Sequence, residues 1–123
     1  MAYKDANKRL ETRKKYKQKN KERIRIQGQL YWTRYRDRHL EHLYGLPVGT
    51  YDKMFVAQDG KCAICLQPET ATRKGKRMVL AVDHDHTTGQ VRQLLCYACN
   101  RGIGLLKDSP NLLRAAADYL EKQ

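Results

Sequence analysis

Apolar residues are nearly absent from the first two dozen positions and then return at helical spacing. Between Tyr3 and about Leu43 there is no proline and the only glycine is Gly28, while Lys, Arg, Gln and Glu dominate. These residues favour helix, so the stretch predicts helix throughout. Before Ile24 the apolar positions are too sparse to build a buried face, which predicts an exposed, fraying helix or a disordered basic tail. After Leu30 the pattern changes: Trp32, Tyr35, His39 and Leu43 recur at spacings of 3, 4 and 4, one helical face. That stripe is expected to dock this end of the arm on a folded domain. Base stacking by Trp32 or Tyr35 is the other use of such rings.

Gly45-Leu46-Pro47 breaks the helical pattern. A short helix then fits Thr50 to Gln58, with Tyr51, Met54 and Phe55 inward and Gly60 as its stop. Residues 67–77 are polar and basic and read as a surface loop. Met78 to Val82 is a strand candidate, Thr87-Thr88-Gly89 a turn and Gln90 to Leu95 a returning strand, together a hairpin. A helix is expected from about Tyr97 to Leu106. Ser109-Pro110 is an N-cap followed by proline at the first helical position, opening a last helix through Leu120. The reading is a basic helical arm over 1–43 and a small α+β domain over 44–123.

Charge separates the two parts further. Residues 1–42 hold 14 Lys/Arg against 5 Asp/Glu, so the arm carries +9 of the net +12. Solubility alone rarely needs one sign so heavily, and an exposed basic helix collects phosphate contacts without disturbing a core. Lys14, Lys15, Lys17, Lys19, Lys21, Arg23 and Arg25 are therefore candidate DNA contacts. A part of roughly 80 residues buries too little surface to be comfortable alone and usually needs a staple. No stretch has the apolar core of a signal peptide or the length of a membrane helix. A cytoplasmic, reducing setting with no membrane partner is expected, and there paired cysteines mean metal more often than disulfides.

Cys62-Ala-Ile-Cys65 and Cys96-Tyr-Ala-Cys99 are two matched pairs with 30 residues between them. Each C-x2-C knuckle turns two thiolates and nearby backbone N–H groups toward one ion, and two knuckles close a tetrahedral site. A closed site leaves no coordination position for water or substrate, so Cys62, Cys65, Cys96 and Cys99 predict a structural Zn2+. A disulfide pair conflicts with the reducing compartment, and an iron–sulfur centre suits a less basic surface.

Between the knuckles lies Val82-Asp83-His84-Asp85-His86, and Asn100 follows the last cysteine directly. One account has Asp83 and Asp85 capping a turn, the histidines packing or facing solvent, and Asn100 capping the second knuckle. The other follows from convergence: the zinc ties down the helix that carries Asn100, and the hairpin returns the chain from Asp83-His84 to that helix. A carboxylate and an amide oxygen would then lie close together, both hard donors suited to Mg2+. Strict strand alternation sends Asp83 and His84 to opposite faces, so the strand is expected to end near Asp83.

The run Cys-x2-Cys, then Val-Asp-His-Asp-His-x-Thr-Gly-x-Val-Arg-x-Leu-Leu-Cys-x2-Cys-Asn resembles the phage recombination endonuclease VII family. Those proteins belong to the His-Me finger (ββα-metal, HNH-like) nucleases, and the resemblance runs from about Leu43 to Leu106. It implies a structural zinc, a single catalytic divalent cation (Mg2+ or Mn2+) held by Asp83 and Asn100, His84 as general base and His86 in support. Some relatives carry an acidic residue one helical turn after the asparagine; here that position is Ile103. The long C-terminal part that dimerises junction-resolving members has no counterpart beyond one short helix, and the basic arm lies outside the shared pattern. Arg92 and Arg101 flank the motif and are candidate phosphate ligands. The expected function is a metal-dependent DNA endonuclease, monomeric or homodimeric, on linear, nicked or branched DNA, located in the host cytoplasm if phage-encoded. The competing class is a non-catalytic zinc module that only binds nucleic acid.

Overall fold

A computed structural model describes residues 2–123, with side chains from residue 5 onward. Helix α1 (Ala2–Lys19) and helix α2 (Lys21–Tyr44) form the arm, separated only by Asn20. Asn20 keeps the hydrogen-bond ladder running, donating its N–H to Tyr16 O at 3.0 Å and accepting from Ile24 N at 2.9 Å. Asp5 through Lys19 are all exposed, as the scarcity of apolar positions requires. Gly45 stops α2 in the left-handed conformation (φ 64°), its N–H closing on Glu41 O.

The arm meets the rest of the molecule through a face other than the predicted one. Trp32, Tyr35 and Leu43 are 66%, 56% and 51% exposed, and His39 is exposed with them. The inward positions are Thr33, Arg36, Asp37, Leu40 and Tyr44. Asp37 is the anchor: it is buried, takes both Arg36 Nε and Nη2 (2.9 and 2.7 Å), and accepts Gly49 N–H at 3.2 Å. Gly49 is the N-cap of α3 (Thr50–Ala57), so an α2 carboxylate caps the next helix. Arg36 also lies 4.4 Å over the Tyr51 ring. A charged side chain held this way defeats a reading that sends aromatics inward.

In α3, Tyr51 is buried and Met54 half-buried, whereas Phe55 is 42% exposed. The Tyr51 hydroxyl donates to Leu80 O at 2.6 Å, and burial pushes its pKa up to about 12. The expected loop over 67–77 contains a two-rung hairpin, β1 (Thr72–Arg73) with β2 (Lys76–Arg77). Lys74 and Gly75 both have positive φ there, a tight turn matched to strand twist. The principal hairpin is β3 (Ala81–His84) with β4 (Val91–Leu95), antiparallel. Helix α4 (Tyr97–Leu105) follows at once and packs on β3, and α5 (Pro110–Glu121) closes the chain. Ser109 caps α5, its Oγ accepting Leu112 N–H at 3.2 Å.

The α+β core is small: Leu46, Tyr51, Cys62, Leu80, Val82, Leu94, Leu95 and Cys96. Two of those eight are cysteines of the predicted metal site. Polar side chains complete the scaffold. The Gln58 amide pairs with both backbone groups of Leu94, at 2.9 Å each, and so joins α3 to β4. Buried Glu69 accepts Ala71 N–H (2.9 Å) and Tyr97 N–H (2.6 Å), setting a carboxylate at the start of α4.

Candidate metal centre and active site

The four cysteine sulfurs lie within 4.8 Å of one another, drawn from the loop after α3 and the start of α4. All four are free thiols. Cys65 Sγ and Cys96 Sγ are 3.8 Å apart, far beyond a disulfide bond. It is, however, the edge of a tetrahedron whose metal–sulfur arms are about 2.3 Å long. Ile64 N–H donates to Cys62 Sγ and Cys99 N–H to Cys96 Sγ, both at 3.4 Å. Electrostatics carry the same message. Burial disfavours the Cys62 thiolate, yet the hydrogen bonds converging on its sulfur prevail and bring it down to about 6. Burial and then the neighbouring thiols push Cys99 up to about 12. Four thiols this close ionise together only around a cation, so the donor set fits a zinc ion, with Cys62, Cys65, Cys96 and Cys99 as its ligands.

About this clamp the hairpin and α4 form a second site. In β3 and β4, Val82 pairs with Leu94 but His84 pairs with Val91, so the register shifts by one residue between them. Asp83 thus opposes both Arg92 and Gln93, a bulge that re-aims side chains. The strand runs through His84 rather than ending near Asp83, and the extra residue of the bulge lies on β4. Asp83, His84, His86 and Asn100 line one cavity of about 330 Å³ together with Ala81 and Val82 of β3. The last turns of α2 supply its other wall, through His39, Leu40, Leu43 and Tyr44.

Within that cavity Asp83 is buried and Asn100 half-buried. The Asn100 amide takes no hydrogen bond among the described residues, and its backbone N–H is spent on Cys96 O at 2.9 Å. The His84 ring lies 4.7 Å from the Tyr44 ring and 4.6 Å from the His86 ring. Asp85 does not enter: its Oδ1 accepts Thr87 and Thr88 N–H at 2.8 and 2.9 Å and holds the hairpin turn. The capping account applies to Asp85, while Asp83 does something different.

Arg92 grips Asp83 with two donors, Nε to Oδ2 at 2.5 Å and Nη2 to Oδ1 at 3.0 Å. The same Nη2 reaches His84 O at 3.3 Å and Asp108 Oδ2 at 3.1 Å. The hydrogen bonds it donates to Asp83, then to Asp108, raise the Arg92 pKa above its ordinary value. Asp108 also lies 3.8 Å from His86 Nε2. It comes from the reversal between α4 and α5, where Lys107 and Asp108 both have positive φ. Neither Tyr44 nor Asp108 stood out in the sequence. The sole hint was Asp108's place before the Ser109-Pro110 cap, which marks a sharp turn back toward the hairpin. Arg101 points elsewhere, donating to the Tyr97 hydroxyl at 2.6 Å. Lys14, Lys15, Lys17, Lys19, Lys21, Arg23 and Arg25 are all exposed along the arm, and Arg25 is paired with Glu22.

A hard cation fits the donors present: one carboxylate and one free amide oxygen on a shared cavity. Each Asp83 oxygen accepts one Arg92 N–H and keeps further acceptor capacity. Among the described residues no helix is long and apolar enough to cross a membrane.

The sequence profile described as recombination endonuclease VII matches residues 37–122. The chain is 44% identical over 80 residues to the Gene 59 protein of Mycobacterium phage D29, covering 64% of this chain and 46% of that one. It is 38% identical over 78 residues to the Gene 59 protein of Mycobacterium phage L5, covering 63% and 44%. The chain thus spans a little under half the length of these curated relatives. No solved structure matches it.

Proposed function

The chain belongs to the recombination endonuclease VII family, and from that footing we propose that it is a metal-dependent DNA endonuclease of the His-Me finger (ββα-metal) kind. One observation carries the reading: a buried carboxylate, two imidazoles and an unengaged amide line a single open cavity. A module that merely binds nucleic acid has no need to combine them.

On this reading His84 is the general base. Imidazole changes protonation near neutral pH and can take a proton from the attacking water. The Tyr44 and His86 rings, both packed against it, restrain its plane. Asp83 and Asn100 would hold Mg2+ or Mn2+, which supplies charge neutralisation at the phosphate and stabilises the leaving oxygen. Arg92 fixes the Asp83 carboxylate from behind, and Asp108 in turn restrains Arg92 and faces His86. Arg101 and the basic arm are the proposed phosphate contacts. Expected products carry 5′-phosphate and 3′-hydroxyl ends. Branched or nicked DNA is the proposed substrate, and junction resolution, which needs paired cuts, would call for a homodimer.

A second reading is favoured by the same Arg92 contact. If the guanidinium keeps both Asp83 oxygens permanently neutralised, the chain is a zinc-stabilised binding module without catalysis. Supercoiled plasmid incubated with zinc-loaded protein, with and without added Mg2+, separates the two. Omission of Mg2+ is the required control, since a chelator also strips zinc. Nicking that appears only with Mg2+ and vanishes in His84→Ala, with zinc content and DNA binding retained, supports the enzyme. Wild-type protein inert in both Mg2+ and Mn2+ on plasmid and on nicked and branched DNA alike would leave only the binding module.

A further inference from the structure

The arm carries a feature that the cleavage site does not use. Tyr31, Trp32, Tyr35 and His39 lie bare along α2, the first three 65%, 66% and 56% exposed. They are nonetheless ordered against one another. Trp32 makes edge-to-face contacts with Tyr31 and Tyr35, both with ring centroids 5.9 Å apart, and Tyr35 is parallel to His39 within 6°. One turn earlier on the same helix Gly28 sits in open space, where a Cβ would meet nothing within 4 Å. Arg34 and Arg38, both exposed and in no ion pair among the described residues, border the strip on the side away from the core.

His39 and Leu43 continue this strip into the wall of the cavity that holds His84 and Asn100. Exposed aromatic rings edged by guanidinium groups and continuing into the candidate cleavage cavity match one ligand chemistry. We propose that the Tyr31–His39 face of α2 is a stacking ledge for unpaired bases, leading a single-stranded segment of nucleic acid to the His84 cavity. In a duplex the base faces are already stacked on their neighbours, so the ledge selects unpaired bases, while the arginines meet the backbone. From residue 31 to 39 the helix rises about 12 Å, room for about three bases at a 3.4 Å stacking distance. The ledge takes its purpose from the nuclease reading, but its test does not depend on cleavage.

Trp32 is the chain's single tryptophan, so its emission reports on the ledge alone. Zinc-loaded protein without Mg2+ is titrated with a short single strand and with a blunt duplex of the same sequence. The single strand quenches Trp32 and the duplex does not. By anisotropy, Tyr35→Ala and Trp32→Ala each lower single-strand affinity by about 5- to 100-fold, the range set by base–aromatic stacking, and leave duplex affinity unchanged. Arg38→Gln lowers both alike. Equal losses for both ligands, or no quenching, would overturn the ledge. So would sedimentation showing a DNA-free dimer whose formation shifts Trp32 emission, because the face would then belong to a second copy of the chain. A protein that shows the predicted binding but cleaves neither plasmid nor nicked or branched DNA would keep the ledge and lose the nuclease reading.

Discussion

At Asp83 the proposed mechanism places two demands on one carboxylate: it would hold a cation while Arg92 donates to both of its oxygens. The arrangement is useful only if Arg92 orients the carboxylate without displacing the metal. Arg92→Gln is therefore expected to leave zinc binding and folding intact while lowering single-turnover cleavage on the order of 100-fold, the effect of a misplaced reacting group. Unchanged cleavage would reduce Arg92 to a surface cation. Asp108→Asn should have a smaller effect in the same direction, because it acts on Arg92 and His86 rather than on the cavity. The two cysteine knuckles were legible because each is a local spacing, and the meeting of Asp83, His84 and Asn100 at one cavity followed from the hairpin that returns the chain to the second knuckle. Asp108 and Tyr44 were not, since a left-handed turn and the end of a distant helix bring them to the site.

Among the elements, the β3–β4 hairpin depends on Asp85 for its turn. The Thr88 and then Thr87 N–H groups lower the Asp85 pKa below its ordinary value of 3.8. A depressed folded pKa gives stability that is present above the unfolded value and lost as pH falls through the folded one. Protection of the Thr87 and Thr88 amides, taken relative to their intrinsic exchange rates, should therefore hold steady above about pH 4 and fall below it, whereas in Asp85→Ala it should be low at every pH. At α5, Ser109→Ala should cost about 1 kcal/mol of stability by chemical denaturation, the usual loss of an N-cap. Local signals predicted these elements well: Gly45 stops α2, Ser109-Pro110 starts α5, and the Thr-Thr-Gly turn closes the hairpin. The docking face of α2 was misread because the buried Asp37 and its neighbour Arg36 turn a different face inward, with Leu40 and Tyr44 rather than Trp32 and Tyr35 packed on the core. The capping partner, Gly49, is invisible to any periodicity within the helix. The bulge at Asp83 and the buried Glu69 escaped for a similar reason, as each answers to a partner on another segment.

For the molecule as a whole, eight buried residues make too small a core to hold the fold unaided, and two of them are thiols. Structural zinc contributes on the order of 10–16 kcal/mol in small finger peptides, comparable with a domain's entire net stability. Cys65→Ala or zinc removal should abolish the cooperative thermal melt seen by circular dichroism; a melt unaffected by metal loss would contradict a structural role. The exposed arm predicts a separate effect. Deleting residues 1–22 should flatten the slope of log affinity against log salt by about 0.9 for each phosphate that the arm had neutralised. An unaltered slope would show that the arm does not touch the backbone.

The most direct measurement is Mn2+ binding to zinc-loaded protein, followed by electron paramagnetic resonance, for the wild type and for Asp83→Ala and Asn100→Ala. A single hard-cation site, absent without the Asp83 carboxylate and weakened without the Asn100 amide, is the predicted result. No bound Mn2+ in the wild type, or binding undiminished in Asp83→Ala, would contradict the account at its centre.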